Sequence, residues 1–408
     1  MTLLTCNDAV EPFPGAEAST EELVRYYFNM SFNYHDICGF LLFVHHIVVS
    51  RTTVKRILRR LKARRYGIES PLEEIVLKII EQHAMGHIDL GYKSMWKHLI
   101  TQCGIKVRQE TVRIALKAID PRGVELRSRN LLRRRRYISQ GPSFIFHVDG
   151  YDKLKPFGIA IHGAIDGFSR KILWLKAGPS NNNPRIIARY FIDCLKEMNA
   201  IPRMVRSDAG SENVIIRDIQ VALRSFHHDN MSGENSFTVG RSTANQRIEM
   251  VWSFLKRSFT QFWRNIFKDM IDLNLFNNAD NLHIQCIRFC FLPVIQMHLD
   301  RFRQTWNVHR IRSEPNREVP TGIPNVMFYQ PLRYGARDCS CHLACNIAVL
   351  DDIADSYTEA NPQYGCSREF RDLLELVNGQ NLHESDLPAS PNDAKVLFIE
   401  MVSLLDSM

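Results

Sequence analysis

No Cys-x-x-Cys pair occurs anywhere in the 408 residues, although the chain has ten cysteines. Their irregular spacing argues against a disulfide framework and for a reducing compartment. The one dense group, Cys339, Cys341, His342 and Cys345, lacks a second half, so no structural zinc is expected there. The chain does not open with a basic stretch followed by an apolar core, so no secretory signal is expected. The longest apolar run, 37–49, is too short to span a bilayer and contains His45 and His46. A membrane is therefore not an expected partner. Acidic residues are also scarce: Glu249 is the sole Asp or Glu between Asn235 and Lys268, a stretch holding Arg241, Arg247, Lys256, Arg257, Arg264 and Lys268.

What is present points to a polyanion. The net charge of +8 is unevenly spread, because residues 336–408 hold thirteen Asp and Glu against four Lys and Arg. Residues 1–335 thus carry +17, which favours a nucleic-acid partner. The length suggests two or three domains. Residues 20–119 read as helical. Ser50 is a good N-cap for the helix that follows, in which eight of the sixteen residues from Arg51 to Tyr66 are Lys or Arg. Val54, Ile57, Leu58 and Leu61 give that helix a core face, which leaves Arg51, Lys55, Arg56, Arg59 and Arg60 for DNA. The theme repeats over 70–86, 91–101 and 108–119, predicting a tandem helix-turn-helix region over 36–119 behind an N-terminal segment, 1–35. A linker follows at 120–141, where Arg133, Arg134, Arg135 and Arg136 could track phosphates, direct the chain to the nucleus, or both.

The pattern then changes. Short β-forming runs at 144–150, 157–165 and 171–177 precede a helix at 183–199, a strand ending at Asp208 and a helix at 214–226. A polar loop, 227–241, leads to the helix carrying Glu249. Its apolar stripe is Ile248, Trp252, Leu255, Phe259 and Phe262, while Ser242, Asn245, Gln246, Ser253, Lys256 and Thr260 share the face of Glu249. A lone carboxylate in a polar, cation-flanked strip is either an ordinary solvated Glu or a group that meets a metal or a phosphate.

The motifs FHVDGYDKL around Asp149, GAIDGFSRKIL, VRSDAGSEN around Asp208 and NQRIE around Glu249 favour the second reading. With RQTWNVHRIRS at 303–313, they resemble the catalytic core of retroviral-type integrases and DDE transposases. GYDKLKPFGIAIHGAIDGFSRKILWL is further similar to integrase-core-domain proteins resident in animal genomes, which implies a transposon-derived gene. The resemblance implies a ribonuclease H-like α/β core, a mixed five-stranded sheet flanked by helices, over 142–335. An all-α helix-turn-helix region precedes it, and an acidic tail, 336–408, follows. It implies Asp149, Asp208 and Glu249 as catalytic residues and ligands of Mg²⁺ (or Mn²⁺), with Asp149 shared between two ions. It further implies DNA contacts from Asn245, Arg247 and Lys256, with Ser211 and Asn213 near the strand. The reaction would be phosphodiester cleavage and strand transfer joining element ends to a target, by a homo-oligomer on DNA. Carboxylate oxygens suit that chemistry because hard divalent ions prefer them.

Other polar residues carry quieter expectations. Asp166 serves its hairpin turn, Asp152 faces solvent, His147 supports the site from behind, and His283, Cys286 and Cys290 are buried side chains. The chain departs from the family in three places. The Asp208–Glu249 separation of 41 is long, Tyr151 stands where many integrases have Thr, and the N-terminal zinc module is missing. The alternative is a domesticated, catalytically silent nucleic-acid-binding protein.

Overall fold

In a computed structural model the chain divides into two compact units, one drawn from residues 1–138 and 304–337, the other from 139–303 and 338–408. The structure describes residues 18–63, 69–87, 90–121, 124, 139–240, 245–312, 320–343, 347–378 and 387–406.

The first unit is helical among its described residues and holds two small cores. Helices α1 (Thr20–Asn29), α2 (Tyr34–Phe43) and α3 (Arg51–Arg60) each begin at a side-chain cap: Ser19, Asn33 and Ser50 accept from the backbone N–H groups of Glu22, Asp36 and Thr53. Leu23, Val24, Phe28, Ile37, Phe40, Val54 and Leu58 pack together between them. Because α1 contributes to this core, the boundary expected at residue 35 is displaced towards the N-terminus. Helix α3 is also shorter than the 51–66 pattern suggested. Helices α4 (Leu72–Gln82), α5 (Tyr92–Gln102) and α6 (Gln109–Ile119) build the second core from Ile75, Ile79, Met95, Leu99, Val112 and Leu116. Val308 and Val326 complete the first core, and Gln330 and Arg333 both bond Asp36, so residues 304–337 belong with the helices rather than with the sheet.

The second unit is built on a sheet of strands β1 (Ile145–Tyr151), β2 (Ala160–Asp166), β3 (Ile172–Gly178), β5 (Met204–Ser207) and β6 (Phe237–Val239). A two-residue strand, β4 (Ala200–Ile201), lies outside it. The order is β3-β2-β1-β5-β6, with β1–β2 and β2–β3 antiparallel and β1–β5 and β5–β6 parallel. Helix α7 (Pro184–Met198) joins β3 to β4, α8 (Val214–Arg224) follows β5, and α9 (Gln246–Leu255) follows β6. This is the expected ribonuclease H-like arrangement. Strand β6 falls inside the segment read as polar loop, because three residues are too few to show an alternation. Helices α10 (Gln261–Asp272) and α11 (Asn281–Val308) come next. By length and composition α11 could cross a membrane, yet 61% of its most apolar stretch is buried in the protein.

The acidic C-terminal segment is not a loose tail. Among its described residues are helices Ile347–Tyr357, Arg368–Asn378 and Pro391–Asp406. They bury Leu350, Phe370, Leu374, Ala394 and Phe398. The Phe398 ring meets Phe276 edge-on at 5.9 Å, and Cys341 and His342 pair with β4. Net charge concealed an amphipathic pattern, so the reading of this segment as an acidic tail is corrected. Phe398→Ala should cost the sheet unit about 3–5 kcal/mol in denaturant unfolding. A loss below about 1 kcal/mol would mean that this segment lies on the surface of the unit instead of within its core.

Candidate active site

Two carboxylates stand at the ends of neighbouring parallel strands. Strands β1 and β5 pair only from Ile145 opposite Met204 to His147 opposite Arg206. Asp149 lies two residues beyond the last pair on β1, and Asp208 immediately follows β5. Both are half-buried. Strand β1 has an antiparallel neighbour on one side and a parallel one on the other, so the crevice beyond its carboxyl end is where open sheets commonly take ligands.

Helix α9 brings the third carboxylate. At its N-cap, Asn245 makes no cap bond to its own helix. Its amide instead donates to the Val148 carbonyl at 2.9 Å and accepts from His147 Nδ1 at 2.6 Å. Three residues past Glu249, the Trp252 indole donates to Asp149 Oδ2 at 2.8 Å. The helix is thus tied to β1 on either side of Glu249. Ile248, Val251, Trp252, Leu255 and Phe259 are buried as the apolar stripe requires. The stripe then shifts: Lys256–Thr260 form a π-helical turn, whose extra residue replaces Phe262 by Trp263 as the next core ring.

The three acids feel one another. Burial pushes the Asp149 carboxyl up to about 7, and the charges of Asp208 and Glu249 add to the rise while the Trp252 bond opposes it. Glu249 is exposed as a residue, yet its carboxyl is raised, first by partial burial and then by Asp208, with Lys153 opposing. No set of three His, Cys, Asp or Glu side chains among the described residues is drawn close enough to hold a metal in this conformation. The acids are gathered within electrostatic reach, short of a closed chelate.

Glu212 and Lys153 were missed in the sequence. Burial raises the Glu212 carboxyl, and Asp208 and Asp152 push it the same way. Lys153 is an exposed cation beside Glu249. The signal for both was proximity in the chain: each lies four residues beyond a strand-end acid, Asp208 or Asp149. Three expected DNA contacts are corrected. Asn245 is 1% exposed with its amide engaged as above, and Arg247 and Asn213 are buried as well. Arg247 faces inward, where its charge helps burial lower the His147 pKa to about 3. Lys256 and Ser211 are exposed. Asp166 is fully buried and accepts from the Ser143 and Ser169 backbones and the Ser169 hydroxyl, which is a turn role; Asp152 binds Asn181 and Lys155 at the surface. Cys286 and Cys290 are buried and His283 is half-buried.

In the helical unit, Arg51, Lys55, Arg56, Arg59 and Arg60 are all exposed, and Arg60 pairs with Glu21. An open cleft of about 420 Å³ is lined by Asn33, Tyr34, His35, Arg51, Thr52 and Lys55. The second bundle is less cationic than its sequence suggested, since Arg108 pairs with Glu69 and Arg113 with Glu110. Arg133, Arg134, Arg135 and Arg136 lie outside the described residues, as do Ser242 and Cys345.

A mixed sheet of this order, with acids ending β1 and β5 and a third on the following helix, defines a ribonuclease H-like core. Residues 136–330 match the family described as "Integrase core domain". Over that span the chain is thus similar to an integrase-type core. No curated protein matches the chain.

One buried group next to β1 gives the core a pH signature. His162, opposite Gly150 in the sheet, is 1% exposed and accepts from the Trp174 indole at 3.2 Å. Burial lowers its pKa to about 4. The folded state then holds fewer protons than the unfolded chain between that value and the ordinary pKa of about 6.5, so stability is complete above the window and is lost as pH falls through it. His162→Leu should cost stability at pH 7.5 through poorer packing and the orphaned Trp174 donor. That deficit should shrink by on the order of 2–3 kcal/mol towards pH 4, as the parent loses the His162 contribution. Denaturant unfolding at both pH values measures it, and a deficit independent of pH would show that His162 protonates freely in the folded state.

Proposed function

We propose that this protein cuts and joins DNA strands, with Asp149, Asp208 and Glu249 holding Mg²⁺ or Mn²⁺ at the reacting phosphate. What supports the reading is that three separate elements, β1, the end of β5 and α9, bring these carboxylates within each other's fields. The donor set fits the ion. It consists of hard carboxylate oxygens, and Asp149 is held so unfavourably as an anion that a divalent charge beside it would offset the cost. Bound there, the metal supplies Lewis acidity to the phosphate and charge to the leaving oxygen. The remaining work falls to the chain. Asn245 and Trp252 fix the helix and strand that carry the acids, and Lys153 and Lys256 receive DNA phosphates at the rim.

DNA is held mainly by the helical unit, with α3 as the reading helix of a helix-turn-helix and the Arg133–136 cluster on the backbone. The protein acts as a homo-oligomer on DNA, in the nucleus, joining element ends to target. Replacing Arg51, Lys55, Arg56 and Arg59 together by Ala should lower the slope of log affinity against log salt by about 0.9 for each phosphate no longer neutralised. An unchanged slope would assign DNA affinity elsewhere.

Glu249→Gln tests the catalytic reading. The substitution preserves shape and helix propensity, so folding should change by no more than tenths of a kcal/mol. Metal-dependent strand transfer of a labelled element-end oligonucleotide should fall by at least about a hundredfold, with DNA binding retained. A Glu249→Gln protein that joins DNA as well as the parent would leave the silent DNA-binding protein as the better reading.

A further inference from the structure

We propose that Trp252 is a positioning residue for the Asp149 carboxylate, and that residue 163 is glycine so that the Trp252 ring can occupy the space beside it. The inference rests on the metal-holding role assigned to Asp149 above.

Three observations carry it. The Trp252 indole N–H donates to Asp149 Oδ2 at 2.8 Å, and the residue is only 5% exposed, so water does not compete for that bond. Across the β1–β2 ladder the residue opposite Asp149 is Gly163. A Cβ there would lie 2.8 Å from Trp252 Cη2 and 2.8 Å from Leu175 Cδ2, closer than carbon atoms approach. The indole therefore fills the volume that any side chain at 163 would need. Beside it, the Tyr151 ring packs at 5.0 Å, and its hydroxyl is held by Thr260 Oγ1 at 2.9 Å. Tyr151 stands where the family commonly has Thr, and here it is part of the grip on Trp252.

The consequence is mechanical. A carboxylate at a strand end turns about its last side-chain bond, and each turn redirects both oxygens. The indole fixes one oxygen, which sets the direction of the other. Trp252 also lies one helical turn from Glu249, so a single contact couples the orientation of Asp149 to the position of α9. Groups that orient metal ligands in this way typically contribute 10–100-fold to metal affinity. Phe at 252 would keep most of the packing and remove the N–H.

The test is Mn²⁺ binding to the full-length protein by titration calorimetry, beside melting curves without metal. Trp252→Phe should weaken Mn²⁺ binding by roughly 10–100-fold while the metal-free melting temperature stays near that of the parent and the KM for DNA is unchanged. Gly163→Ala, which displaces the ring from the other side, should weaken binding similarly. The double variant should bind no worse than Trp252→Phe alone, because the two changes disrupt one arrangement. Trp252→Phe binding Mn²⁺ as tightly as the parent would overturn the inference alone, and so would a lowered melting temperature with unchanged affinity. A parent that does not bind Mn²⁺, or Asp149→Asn binding it equally well, would overturn the metal reading and this inference together.

Discussion

The candidate site depends on how α9 is fastened to β1. Asn245 and Trp252 lie seven residues apart on or beside the helix, and each reaches back to the strand, one at Val148 and His147, the other at Asp149. Both bonds are made where water competes little, so each holds the helix at a fixed place on the strand. Glu249 sits between the two anchors and has little freedom to drift from Asp149. An Asn that gives up capping its own helix to hold a neighbouring strand shows where the stronger constraint lies.

This fastening sets up an electrostatic conflict. Burial raises the Asp149 carboxyl to about 7, and Asp208 and Glu249 make its ionisation harder still. Glu212 joins the same acidic neighbourhood. The exposed cation Lys153 opposes the rise at Glu249 only from the rim. A crowd of oxygen donors with so little internal compensation is an arrangement that a hard cation relieves. Strained electrostatics of this kind are characteristic of functional sites.

Much of this was legible in the sequence. β-Forming runs, the glycine-rich hairpin at Asp166 and the periodicity of α9 located four sheet strands and the three acids within a few residues. What escaped depended on tertiary context. Strand β6 is three residues long and exists because β5 offers a parallel edge. Asn245, Arg247 and Asn213 look like surface groups from their chemistry, but helix docking buries them. The π-helical turn at Lys256–Thr260 moved the apolar stripe by one residue. In the C-terminal segment the excess of acidic residues masks the positions that face inward, Phe398 and Leu350 among them. Residues 304–337 read as an extension of the core but pack with the helices through Val308, Val326 and Arg333.

The most direct measurement of the central claim is an anomalous-difference map from crystals of the full-length protein grown with Mn²⁺. The account predicts density bounded by Asp149 and Asp208 on the strand ends and by Glu249 on α9, with Asn245 and Trp252 keeping their bonds to β1. Manganese held instead by Glu212 and Asp152, or an Asp149 still bonded to Trp252 with no metal beside it at saturating Mn²⁺, would contradict it.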